Sequence, residues 1–205
     1  MRQFEFTKSN KIRRIQPLTR FICETLDCQE VRRLCRYYTL DPLEDFALDY
    51  LDNEVEQPDL QDSLMEEVIR DKHVSQGADK EIIIPYMFTK DVLTNKRMAI
   101  FVYCDKVDLS QYDEDADLVF MVDIAYSIDI DKLTDYQQRC WAIAEIVSEK
   151  FDKYVMKDEK YLPIVGAVEF NLSSRIIHSK LASNTTMGII SIPIIVHTKA
   201  MRSRR

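Results

Sequence analysis

Glycine is scarce in this chain, with three in 205 residues: Gly77, Gly166 and Gly188. A loop that cradles phosphate needs several close together, and no G-x-G-x-x-G or Walker-type string occurs. Nucleotide chemistry of those kinds is therefore excluded, and no cofactor is expected. Paired cysteines are also missing. Cys23, Cys28, Cys35, Cys104 and Cys140 are odd in number and form no C-x-x-C pair. They read as reduced, mostly buried thiols in a reducing compartment. No apolar run reaches the roughly 18 to 20 residues of a membrane span, so no membrane partner is expected. Residues 1–14 are polar and basic, unlike a signal peptide. Positive charge is not in excess either. The net charge of −7 argues against a general nucleic-acid binder.

What is present is ordinary for a globular protein: 46% hydrophobic and 31% charged residues, in a length that suits one domain or one domain with a helical extension. The charge is segregated. Lys8, Lys11, Arg13 and Arg14 lie near one end and Lys199, Arg202, Arg204 and Arg205 near the other, while residues 105–135 are rich in Asp.

The clearest pattern is the stretch 117–129. Leu118, Phe120, Val122, Ile124, Tyr126 and Ile128 alternate with polar residues that include Asp117, Asp123, Ser127 and Asp129, which predicts a half-buried strand. Residues 98–105 predict a partner strand, with an acidic connection over 106–116. A helix of about six turns is expected over 134–157, with Tyr136, Cys140, Ile143, Ala144, Val147, Phe151, Tyr154 and Val155 on its buried stripe and Asp131 or Thr134 as cap. Residues 165–178 predict a long strand and 187–196 its hairpin partner, with Pro193 favouring an edge or a bulge. Residues 82–88 predict a strand, with Pro85 favouring an edge or a bulge.

The first 80 residues read differently. An arm over 1–15 leads to helical spacing at Leu18, Phe21, Ile22 and Leu26, with Pro17 in the first turn. Asp27 and Glu30 suggest a capping box for a second helix carrying Val31, Leu34, Cys35 and Tyr38 inward and Arg32, Arg33 and Arg36 outward. A third short piece with a stripe of Leu43, Phe46, Ala47, Tyr50 and Leu51 follows. Residues 52–80 predict a long loop with a short helix near 64–69. The fold class is thus α+β, N-terminal helices followed by a mostly antiparallel sheet on one long helix. Its parts are an arm, helical extension and loop over 1–80, an α+β domain over 81–198, and a basic tail over 199–205.

Chemistry-bearing constellations are thin. His73, His178 and His197 are far apart, and only His178 and His197 are expected to approach, across the last hairpin. Asp113, Asp115 and Asp117 begin like a calcium loop, but Leu118 stands where its glycine belongs and Ile124 where its bidentate acid belongs. A solvated acidic loop is the better reading. Asp105, Asp123 and Glu169 on neighbouring strands would make a two-metal nuclease cluster, yet no spacing singles them out. No catalytic, cofactor or metal residue is assigned. The residues expected at interfaces are Asp113, Glu114, Asp115, Arg32, Arg33, Arg36, Arg202, Arg204 and Arg205. Trp141 is read as core or interface.

The order of helical lead-in, hairpin, long helix and closing hairpin, with the acidic loop between Val107 and Asp117 and the Gln137-Gln138-Arg139-Cys140-Trp141 stretch, resembles the tail terminator and neck proteins of tailed bacteriophages. The resemblance covers about 81–198. It implies a non-enzymatic virion protein, assembled in the host cytoplasm, that forms a homo-oligomeric ring. Its implied partners are other neck, portal or tail proteins and genomic DNA passing through the lumen without sequence-specific binding. The competing readings are a small α+β binding module, monomeric or dimeric, and a metal-dependent nuclease.

Overall fold

A computed structural model describes residues 12–48, 53–61, 64–65, 82–86, 98–109, 116–128, 130–133, 137–173, 176–180 and 187–198. The alternating segments become β4 (Met98–Leu109) and β5 (Ala116–Ser127), an antiparallel pair in which Val102 faces Val122 and Ile100 faces Ile124. The last strand, β9 (Met187–Thr198), pairs along the whole far side of β5. Beyond β9 lie β7 (Val168–Leu172) and then β6 (Tyr154–Val155), with β8 (Ile177–Lys180) beside the other half of β9. On the opposite edge, β3 (Ile83–Ile84) runs parallel to β4. The fold is α+β, with a seven-stranded mixed sheet in the order β3-β4-β5-β9-β7-β6.

The two-residue period assigns each side chain to a face. Met98, Ile100, Val102, Leu118, Phe120, Val122, Ile124, Ile190, Ile192, Ile194 and Val196 point to one face and are buried there. Three helices cover that face: α1 (Ile12–Leu26), α2 (Gln29–Arg36) and α3 (Arg139–Phe151). Leu18, Phe21, Ile22, Val31, Leu34, Ile143, Val147 and Phe151 share one core with the strands. Full burial of such side chains stabilises by about 1.5–3 kcal/mol each before entropy is set against it.

Several expectations are corrected. The long helix is shorter than 134–157, because Asp152 is already extended, Lys153 is left-handed at φ 57°, and Tyr154 and Val155 form β6. Their three- and four-residue spacing continued the helical stripe, but Tyr154 instead stacks on Phe21 from a strand. The N-cap of α3 is Gln138, without a side-chain cap bond, and Asp131 instead accepts the Cys140 N–H at 2.8 Å from well outside the helix; Thr134 lies outside the described residues. Pro17 sits inside α1, since the helix begins at Ile12. Cys28 occupies the cap position of α2, and Asp27 bonds Arg32 and the Leu64 N–H instead of forming a capping box.

The stretch expected as a third helical piece is a hairpin, β1 (Phe46–Leu48) with β2 (Glu54–Glu56). The long strand 165–178 is broken. Val165 ends a short helix, α4 (Leu162–Val165), and Gly166 turns the chain at φ 78° into β7. Pro193 lies inside β9 with strands on both sides. It is tolerated because its nitrogen and carbonyl face the break between β7 and β8, where the Ser173 N–H reaches the Pro193 carbonyl at 3.0 Å.

Candidate functional site

Two exposed surfaces are built with unusual care. The first is the β1–β2 hairpin. The Arg33 guanidinium is buried beneath it and donates to the carbonyls of Pro42 (3.2 Å), Glu44 (2.6 Å) and Gln57 (2.6 Å), and to Asp45 Oδ1 (3.2 Å). Asp59 adds an ion pair at 3.5 Å. Fully buried Gln57 donates to the Asp41 and Glu44 carbonyls and accepts from Thr39. These bonds fix the hairpin to α2. What it then presents is apolar: Phe46 is 59% exposed, and Leu43, Leu48 and Val55 are exposed as well. Phe46 faces Glu56 and Leu48 faces Glu54 in register, so the apolar pair is rimmed by acids.

The second surface is the sheet edge at β6 with α4. Phe21, Phe151, Tyr154, Tyr161 and Phe170 pack with ring centroids 5.3–6.4 Å apart. Glu24 on α1 accepts from Arg20 (2.8 Å), from Lys160 (2.7 Å) and from the Tyr161 hydroxyl (2.7 Å). Burial pulls the Glu24 carboxyl up, but those three donors outweigh it and hold the group below its ordinary value. The knot sets α4, whose Pro163 suits a first turn. The surface exposes Val155, Leu162 and Ile164, the last at 59%, and Lys153 and Lys157 flank β6.

The residues expected at interfaces are only partly described. Arg33 is not part of an outward basic face, because its guanidinium is turned inward and donates to the carbonyls of Pro42, Glu44 and Gln57. Arg32 bonds Asp27 (2.9 Å) and the Leu60 carbonyl (3.0 Å), and Arg36 is half-buried. Asp113, Glu114, Asp115, Arg202, Arg204 and Arg205 lie outside the described residues, as does His73.

His178 and His197 do not meet. His178 faces Ile190 at one end of β9, while His197 at the other lies between Asp117 and Glu169, with its Nδ1 2.7 Å from Asp117 Oδ1. The carboxylates Asp105, Asp123 and Glu169 are likewise apart. Among the described residues, no group of three His, Cys, Asp or Glu side chains stands close enough to hold a metal ion. Burial pushes the Cys23 and Cys35 thiols up to about 12, and Cys140 higher still, so these are packing groups and not nucleophiles.

Asp123 is the oddest acid. It is 6% exposed on the sheet face away from the helices, between Phe101 and Ser191. Its Oδ2 accepts from Tyr103 (2.9 Å), and its Oδ1 is buried without a partner. Burial, then that bond, raises the Tyr103 phenol.

Spacing missed Arg139, which is fully buried at the start of α3 and donates to the carbonyls of Ile130, Leu34, Tyr37 and Thr39. It also missed Gln57. An Arg inside an otherwise apolar helix face was the one available signal for the former.

No protein-family model matches the chain, and no curated protein matches its sequence. No helix among the described residues is long and apolar enough to cross a membrane.

Proposed function

We propose that this chain is a structural ring subunit of the neck or tail of a tailed bacteriophage, a tail terminator or head–tail connector surrounding the DNA channel. The observation that carries the reading is the presence of two unlike, rigidly held apolar surfaces on one subunit. The β1–β2 hairpin is rimmed by acids, and the β6–α4 edge carries Lys153 and Lys157 beside Asp152 and Glu159. Head-to-tail rings require such a pair, whereas two-fold dimers use one surface twice. The order of hairpin, helix and strands is the second support, through its likeness to that family.

On this reading the subunit is not an enzyme. It assembles in the host cytoplasm, works in the virion, and meets neck, portal or tail proteins. The exposed Asp105 and Asp117 are then the described acids that face the lumen and repel phosphate, so that DNA passes without sequence-specific binding. The test is light scattering with negative-stain imaging across a concentration series. Closed rings of one diameter are expected. A chain that stays monomeric alone and with purified neck proteins overturns the reading.

A small binding module is the second reading, and the orphan Asp123 oxygen favours it. A buried carboxylate oxygen without a donor is costly, and a ligand's N–H would relieve that cost.

A further inference from the structure

We infer that neighbouring subunits join by seating the β1–β2 hairpin of one copy on the β6–α4 face of the next. This rests on the ring reading above and says which surfaces make the ring.

Charge selects the pairing. A hairpin meeting another hairpin would bring Glu54 and Glu56 against their own copies, and two β6–α4 faces would oppose Lys153 and Lys157 to themselves. Only the mixed contact sets those acids against those lysines, and like charges brought together suppress the other two. Asp152 and Glu159 are also exposed near the lysines, and Glu169 faces Val155 in register, so the attraction rests on Lys153 and Lys157 themselves and not on the whole edge.

Shape and stiffness agree. Phe46 and Leu48 project from one side of a small two-stranded unit, while Val155 stands exposed on β6 and Leu162 and Ile164 on the helical turn α4. Among the described residues, β2 and β6 each have a strand partner on one side only. Arg33 and Gln57 hold the hairpin, and Glu24 with Lys160 and Tyr161 holds the receiving edge. Little ordering remains to be done on association, which raises the affinity a small contact can reach. Because the contact is heterologous, it propagates from copy to copy until it closes.

The test uses two full-length variants, Phe46→Glu and Ile164→Glu. Both side chains are well exposed, so circular dichroism should show parental folding. Each variant alone should be monomeric, with association weakened at least about tenfold. Mixed, they should form a one-to-one dimer and nothing larger, because one keeps a sound receiving edge and the other a sound hairpin. Reversing Glu54 and Glu56 to Lys should impair assembly, and reversing Lys153 and Lys157 to Glu in the same chain should restore it. Variants that assemble like the parent, or that break assembly but give no mixed dimer, overturn this pairing and leave the ring reading standing. A parent that never assembles overturns both.

Discussion

Arg139 offers the sharpest test of how the fold is held. Its guanidinium is fully buried and makes four bonds of 2.7–2.9 Å, all to backbone carbonyls. Leu34 and Tyr37 lie at the end of α2, where helix carbonyls lack partners and the helix dipole is negative. Burial lowers the Arg139 pKa, with the nearby Cys35 and Asp131 opposing it, but an arginine stays charged in a protein. The carbonyls therefore take the place of the water that this cation left, and the cation ties the end of α2 to the start of α3 through them.

Replacing Arg139 by Met keeps the length and removes every donor. Two buried carbonyls, of Ile130 and Leu34, and two partly buried ones, of Tyr37 and Thr39, then lose this donor, while the desolvation of the charge is relieved. A loss of about 3–5 kcal/mol is expected, as when one member of a buried ionic group is removed. Arg139→Lys should cost about half as much, since an ammonium has three donors and no planar fork. The assay is urea unfolding followed by Trp141 fluorescence, done in the Ile164→Glu background so that assembly adds nothing. With a slope near 2 kcal/mol/M, the Met variant should lose roughly 1.5–2.5 M from its midpoint at unchanged slope. A Met variant within about 1 kcal/mol of its parent, or more stable than it, would refute the argument.

Two further outcomes follow from the packing. Glu24 has a depressed folded pKa, so its contribution is present above about pH 4.3, the unfolded value, and is lost as pH falls through the lower folded value. Acid titration of stability should therefore be flatter in Glu24→Gln than in the parent, and parallel curves would count against the knot. A Cβ at Gly188 would lie 2.5 Å from the buried Tyr126 ring, so Gly188→Ala should cost about 1–3 kcal/mol in thermal unfolding. An unchanged midpoint would mean that the ring yields freely.

Strand alternation was the legible part of this chain. The residues 118–126 and 190–196 show a period of two, and every inward position among them is buried on one face. Helix ends were less legible. The stripe through Phe151 ran on to Tyr154 and Val155 because a strand that packs on the same core keeps apolar residues at compatible spacing. The hairpin at 46–56 was misread because Phe46 and Ala47 suit a helical stripe as well as a strand, and three-residue strands carry little periodicity.

The site was less legible still. Arg33 has the composition of a surface residue, and only the hairpin above it makes it internal. Phe46 and Ile164 carry nothing in their local pattern that says they face outward. Exposure is set by where distant elements stop covering, which no window of sequence records.

The place of β9 has a consequence for how the protein is made. It is the last described strand to leave the ribosome, yet it lies between β5 and β7 and completes the core they share. Until it arrives, β5 presents one long side of unpaired backbone with Leu118, Phe120, Val122 and Ile124 beside it. The helices have by then been synthesised and have only half a sheet to rest on. Completion of this core therefore waits for β9, and that interval is when an open strand edge most needs protection from other chains.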